Sequence, residues 1–212
     1  MKKIIIMLFS MLIMGSAVSN AQNTILPKEW KKECKKQQKR LQKAGWQIFG
    51  SSRSLEYALL SHYEKQYEQG NRIGDGEVVG IATVSDARNK NLLRQQAINS
   101  AYTTYATRSV TNIKGKIVQE LKLKDNEEVE NFCAAYGASV EKEIKGELQP
   151  SFEVIKEVSP NRVDMQAFFV INKSSAVKAR LQALENIIKN SNLAREHEEK
   201  LKNFITDEFE GN

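Results

Sequence analysis

The sequence predicts an α+β fold, in which a small, mostly antiparallel sheet is covered by helices and helical extensions lie at both termini. Hydrophobic and polar side chains alternate on both sides of a turn near residue 160, which is typical of a β-hairpin. Longer segments carry apolar residues at three- and four-residue steps, the pattern of amphipathic helices. Helix-like and strand-like segments are mixed along the chain, which favours one α+β domain.

The first twenty-one residues predict a signal peptide. Two lysines precede the apolar run Ile4–Met14, and Ser19 and Ala21 place small residues where a leader peptidase needs them. Cleavage is therefore expected between Ala21 and Gln22, and a mature chain that begins with glutamine is similar to exported proteins of Bacteroidota. The apolar run is shorter than the roughly 20 residues of a membrane span. We expect an exported protein, periplasmic or secreted, with no transmembrane segment in the mature chain.

Residues 22–44 are predicted to form a basic amino-terminal helix. Pro27 suits the first turn, Gly45 suits the stop, and eight basic side chains stand against Glu29 and Glu33. The apolar stripe comprises Trp30, Cys34, Leu41 and Ala44.

The remainder of this helix surface is basic. Eight basic against two acidic side chains give this segment as much positive charge as the whole chain carries, a formal net charge of +6. This one segment therefore accounts for the basicity of the chain. We expect Lys31, Lys35, Lys39 and Lys43 to contact an anionic envelope surface, unless they are simply solvated. The acidic carboxyl-terminal segment is a competing internal partner. Nucleic acid is not an expected partner, since no aromatic-bearing strand interleaves with these lysines.

Residues 45–190 are predicted to form the α+β domain. The expected elements are a short strand at 46–49, a helix capped by Ser54 and ended by Gly70, an apolar strand at 77–84 buried on both faces, a helix from about 87 to 121, and a second helix that carries Val129 to Ile144. The hairpin around 159–162 and a helix that begins at Ser174 complete the domain.

The last segment, 191–212, is predicted to be an acidic helical extension. Its acidic side chains outnumber its basic ones, and its apolar stripe is rotated relative to that of the preceding helix. The stripe comprises Leu201, Phe204, Ile205 and Phe209.

Part of the domain resembles a known family. The run Val79–Thr83, a following helix with alanines at 97, 101 and 106, and a hairpin that ends in the apolar strand Ala167–Ile171 look like the LPP-twenty group of small envelope lipoproteins, over residues 75 to 185. The resemblance implies a structural strand-helix unit without established catalytic residues. Many members are anchored through a lipidated cysteine, and here no cysteine precedes Cys34. Residues 46–56 are also similar to uncharacterised secreted proteins of Bacteroidales.

The chain offers few residues for catalysis or metal binding. Two histidines and two cysteines cannot complete a His-rich or all-cysteine zinc site, and no nucleophile elbow or dinucleotide fingerprint occurs. No cofactor is expected. Cys34 and Cys133 are either a candidate disulfide or two buried thiols. His62 is either a buried histidine in an aromatic cluster or the base for a Cys133 nucleophile.

Two functions from different classes follow from these residues. The first is a non-enzymatic exported cell-envelope protein that acts as a binding or structural module, with an anionic envelope surface or another envelope protein as its expected partner. The alternative is a small exported hydrolase that uses Cys133 and His62. The distance between that thiol and that imidazole separates the two hypotheses, since catalysis needs contact near roughly 3 Å.

Overall fold

The computed structural model describes residues 26–74, 77–84, 89–124 and 126–207. Within them, helices flank a four-stranded antiparallel sheet on both faces, which confirms the predicted α+β class. The predicted signal peptide, its cleavage site at Ala21 and Gln22, and Phe209 of the carboxyl-terminal stripe lie outside the described residues. None of the described helices combines the length and the apolar character needed to cross a bilayer.

The sheet has the strand order β1-β3-β4-β2. The strands are β1 (Gln47–Phe49), β2 (Glu77–Val84), β3 (Gln149–Ser159) and β4 (Arg162–Val170). The alternating pattern predicts the hairpin of β3 and β4, which is present and forms the centre of the sheet, and each of the other strands pairs with one hairpin strand.

The helices divide between the two faces of the sheet. One face carries α1 (Lys28–Lys43) and α2 (Leu55–Glu68), which pack against each other. The other face carries α3 (Lys90–Glu120), which lies on β2 and β4, with α4 (Glu127–Glu143), α5 (Lys173–Ile188), α6 (Asn192–Glu196) and α7 (Glu198–Asp207) layered around it.

Two hydrophobic clusters follow from this division, because successive side chains of a strand point to opposite faces. On β4, Met165, Ala167 and Phe169 enter the larger cluster with α3 to α7, whereas Phe168 enters the smaller cluster with α1 and α2. The register pairs Phe168 with Phe152 of β3, and their rings stack at a centroid distance of 4.3 Å.

Strand β2 differs from its prediction. Its apolar run predicts burial on both faces, but β2 is an edge strand, and the Ile81 side chain is 56% exposed. Only the face that carries Val78, Gly80 and Ala82 packs against α3. The backbone N–H of Ile81 donates to the Ser100 hydroxyl of α3 at 3.2 Å, so the helix also holds the edge of the strand.

Candidate functional site

Helix α1 presents the basic side chains that the sequence singles out. All eight are exposed, including Lys31, Lys35, Lys39 and Lys43. We call this surface the basic face; its members are Lys28, Lys31, Lys32, Lys35, Lys36, Lys39, Arg40 and Lys43. Lys36 pairs with Glu33 at 3.3 Å, and both side chains lie on α1. An exposed pair of this kind contributes little to stability, and the basic face keeps a large excess of positive charge.

Aromatic contacts hold α1 against α2. The Trp30 ring meets Tyr63 and Tyr67 edge to face, at centroid distances of 6.0 and 5.8 Å. Trp30, Cys34 and Leu41 are buried in the smaller cluster, as the predicted stripe requires, whereas Ala44 is exposed. The apolar stripe therefore turns the basic face toward solvent.

The Cys34 thiol of α1 lies near two acidic side chains of α2. Burial raises the pKa of the Cys34 thiol above its ordinary value of 9.0, and the negative charges of Glu56 and Glu64 raise this pKa further, while Lys35 lowers it. The Cys34 thiol is accordingly protonated at neutral pH, and a protonated thiol is a poor nucleophile.

The acidic carboxyl-terminal helix does not neutralise the basic face. Helix α7 packs against α5 and α3, on the opposite side of the sheet from α1. Its Leu201 and Phe204 are buried in the larger cluster, and Lys202 pairs with Glu198 of the same helix at 2.6 Å. The expectation that this helix competes for the lysines is wrong for the described part of α7.

The two cysteines lie in different clusters. Cys34 belongs to the cluster under α1 and α2, and Cys133 of α4 belongs to the larger cluster across the sheet. Both remain thiols, and the candidate disulfide between them is not formed in the structure.

His62 does not meet Cys133 either. Its ring packs edge to face on Phe152 and Phe168, in the smaller cluster, at 5.4 and 6.0 Å. Since the sheet separates this cluster from that of Cys133, the structure does not assemble the pair that the hydrolase hypothesis needs. The reason is that α2, which carries His62, and α4, which carries Cys133, cover opposite faces of the sheet, and the position of a residue in the sequence does not reveal which face its helix covers.

His62 instead joins a hydrogen-bonded chain of side chains. The His62 Nδ1 lies 2.9 Å from the Ser151 hydroxyl, and the His62 Nε2 lies 2.7 Å from the amide nitrogen of Gln66. His62 and Gln66 are fully buried, whereas Ser151 is half-buried. The β3–β4 register shifts between Pro150 and Phe152, so Ser151 sits in a β-bulge, a device that re-aims a side chain.

Ser151 opens into a cleft at the edge of the sheet. Strand β1 ends at Phe49, opposite Glu153, so the first residues of β3 have no β1 neighbour among the described residues. The chain turns away at Gly50, whose φ of 70° is readily adopted by glycine. We call the resulting space of about 490 Å³ the edge cleft. Sequence reasoning missed it, because its walls come from four segments that are far apart along the chain, within residues 48–65, 91–94, 150–153 and 167–169.

Comparison with known proteins leaves the family open. No family model matches the chain, and no curated protein matches it. Among solved structures, a hypothetical protein of Francisella tularensis matches 73% of this chain at 16% identity, with a TM-score of 0.25. The chain spans 56% of the length of that protein. A likeness this weak carries no argument, and the resemblance to the LPP-twenty group stays a prediction.

Proposed function

We propose that the protein is an exported, non-enzymatic module of the cell envelope that binds an anionic surface through the basic face of α1. The observation that supports this function is the exposure of all eight basic side chains on one helix, while the acidic helix α7 packs across the sheet. The expected occupant of the basic face is a membrane leaflet rich in anionic headgroups.

The binding energy comes from many weak attractions. Each lysine near an anionic membrane contributes about 1 kcal/mol, and the attraction decays over roughly 10 Å at 0.1 M salt. Glu56 of α2 is exposed and Glu64 is half-buried, so both reduce the potential beside the basic face without cancelling it. Eight basic side chains on one surface therefore favour salt-dependent adsorption.

Flotation of the mature protein with phosphatidylglycerol vesicles tests this function. We expect binding at low salt that weakens at least tenfold between about 50 and 300 mM salt, and no binding to neutral phosphatidylcholine vesicles. The variant Lys31→Gln, Lys35→Gln, Lys39→Gln and Lys43→Gln is expected to lose most of the binding.

A control variant removes the same charge elsewhere. Four exposed lysines lie on α4 or α5, or within two residues of the ends of α3 and α5, on the other face of the sheet: Lys122, Lys142, Lys178 and Lys189. Their replacement by glutamine is expected to leave vesicle binding near that of the wild type. Equal losses in both variants would mean that net charge, not the basic face, controls adsorption. Absence of binding at low salt would refute the proposal.

A further inference from the structure

The edge cleft combines positive charge with an apolar wall. Arg53, Lys65 and Arg94 line it together with the single carboxylate of Glu153, which leaves an excess of positive charge. The Nε of Arg94 donates to a Glu153 carboxylate oxygen at 2.7 Å, so this pair forms one fixed side of the cleft. Arg53 lies 5.0 Å from the centroid of the Tyr57 ring. The cationic groups therefore come from three segments that the fold brings together.

Apolar side chains form the inner part of the same space. Phe152 and Phe168 stack on each other and line the cleft, and Ile48 and Ala58 lie nearby on its wall. The volume of about 490 Å³ falls within the roughly 300–1,000 Å³ that is typical of small-molecule sites. A ligand suited to this space has an anionic head and a short apolar body.

The hydrogen bonds among Gln66, His62 and Ser151 determine whether the Ser151 hydroxyl can donate a hydrogen bond into the cleft. The structure places the amide nitrogen of Gln66, rather than its oxygen, beside the His62 Nε2, and an amide NH₂ group only donates. With the amide in this orientation, the His62 Nδ1 carries the ring proton and donates it to the Ser151 oxygen. The Ser151 proton is left to point toward the cleft.

This arrangement distinguishes binding from nucleophilic catalysis. A catalytic base must accept the proton of the serine, whereas in this tautomer the His62 Nδ1–H donates to the serine oxygen. When the oxygen of a serine accepts a hydrogen bond from a buried side chain, its hydroxyl is held in one orientation and can donate to the oxygen of a ligand. An oxyanion is the acceptor that also matches the nearby cationic side chains.

We propose that the edge cleft is a binding site for a small amphiphilic oxyanion, a carboxylate or phosphate monoester with a short alkyl or aryl body. The oxyanion accepts the hydrogen bond of Ser151 and pairs with Lys65 and Arg53. The body packs against Phe152 and Phe168. His62 and Gln66 act as positioning residues that orient the Ser151 hydroxyl. The site is separate from the basic face of α1.

Titration calorimetry with octyl phosphate, octanoate and octanol tests the site. Both anions are expected to bind saturably to the mature protein, and octanol is expected to bind at least tenfold more weakly because it lacks the charge. A preference for octyl phosphate or for octanoate identifies the head group. Absence of saturable binding of either anion at millimolar concentration, or equal binding of octanol, would overturn the proposal.

Variants connect the binding to the named side chains. Ser151→Ala and Lys65→Gln are each expected to weaken anion binding about tenfold, because each removes one charge-assisted contact. Ser159→Ala, at the exposed far end of β3, is the matched control and is expected to bind as the wild type does. Wild-type affinity in Ser151→Ala, with circular dichroism confirming its fold, would refute the role of the hydroxyl.

Two further measurements test the location of the bound anion and the proton position on His62. The variant with glutamine at positions 31, 35, 39 and 43 is expected to retain octyl phosphate binding, since the basic face is a different surface. Loss of octyl phosphate binding in that variant would assign the anion to the basic face instead. Nitrogen NMR of His62 is expected to show the ring proton on Nδ1, and a proton on Nε2 would contradict the positioning role.

Discussion

Gly80 of β2 lies directly against the backbone of Ala97 of α3, so close that a methyl group on Gly80 would overlap the Ala97 carbonyl oxygen. Such a group would also come within 2.6 Å of the Ala101 amide nitrogen. The obstacle is helix backbone, which cannot rotate away as a side chain can. Small residues on both elements therefore let α3 approach the sheet at close range.

The first prediction concerns this contact. Gly80→Ala is expected to destabilise the protein by about 1–3 kcal/mol, because the added carbon forces α3 away from the sheet. Gly115→Ala is the matched control, since a Cβ at Gly115 meets nothing within 4 Å and alanine favours a helix interior by roughly 1 kcal/mol. Urea unfolding of both variants checks the contrast. Equal stability of Gly80→Ala and wild type would contradict the close packing.

The second prediction is that the mature protein contains two thiols even after oxidative export. Cys34 and Cys133 lie in clusters on opposite faces of the sheet, so a bridge would require the fold to open. Maleimide labelling without a reducing agent is expected to add two labels to each denatured chain. The folded protein is expected to react slowly, because both thiols are buried. An unlabelled denatured chain would show that a disulfide had formed.

The third prediction is a loss of stability at alkaline pH that depends on Cys34. Its folded-state pKa is raised above 9.0, so above pH 9 the unfolded chain releases a proton that the folded chain retains. The free energy of unfolding is therefore unaffected by this group below pH 9 and falls above it, by at most about 1.4 kcal/mol per pH unit.

The variant Cys34→Ala isolates this contribution from tyrosines and lysines that also titrate at alkaline pH. It is expected to be less stable at pH 7, since it loses buried sulfur, but to lose less stability between pH 8 and pH 10 than the wild type. Urea unfolding at several pH values measures both slopes. Identical slopes would show that the Cys34 pKa is the same in the folded and unfolded states.

The fourth prediction is that the exported protein begins at Gln22. Ser19 and Ala21 supply the small residues that a leader peptidase needs after the apolar run. The intact mass of protein recovered from the periplasm or the medium is expected to match residues 22–212, or to be about 17 Da lower if the glutamine has cyclised. Retention of the leader, or the added mass of an acyl chain, would refute soluble export.

Regular periodicity predicts most of the fold. The hairpin of β3 and β4 and the buried stripe of α3, from Leu93 to Ile117, follow directly from spacing, because each element buries one face. Spacing could not show that β2 is an edge strand. A run such as Val79–Ala82 is apolar in either position, and pairing with distant strands decides its exposure.

The candidate sites also differ in whether the sequence alone predicts them. The basic face is visible in the sequence because all of its members lie within one helix. The edge cleft joins Ser151 to side chains of α2 and α3 that are far away along the chain, and the bulge that turns Ser151 has no marker in a single sequence. The separation of His62 from Cys133 depends likewise on which face of the sheet each helix covers.

The bond from the Ile81 N–H to the Ser100 hydroxyl has a consequence for assembly. An exposed edge strand invites another chain to add its own strand, which is a route to aggregation. Because the helix already occupies this amide, an added strand would have to break the bond or leave one backbone pair unmade. Ser100 thus makes β2 a poorer template for growth into fibres at the position of Ile81.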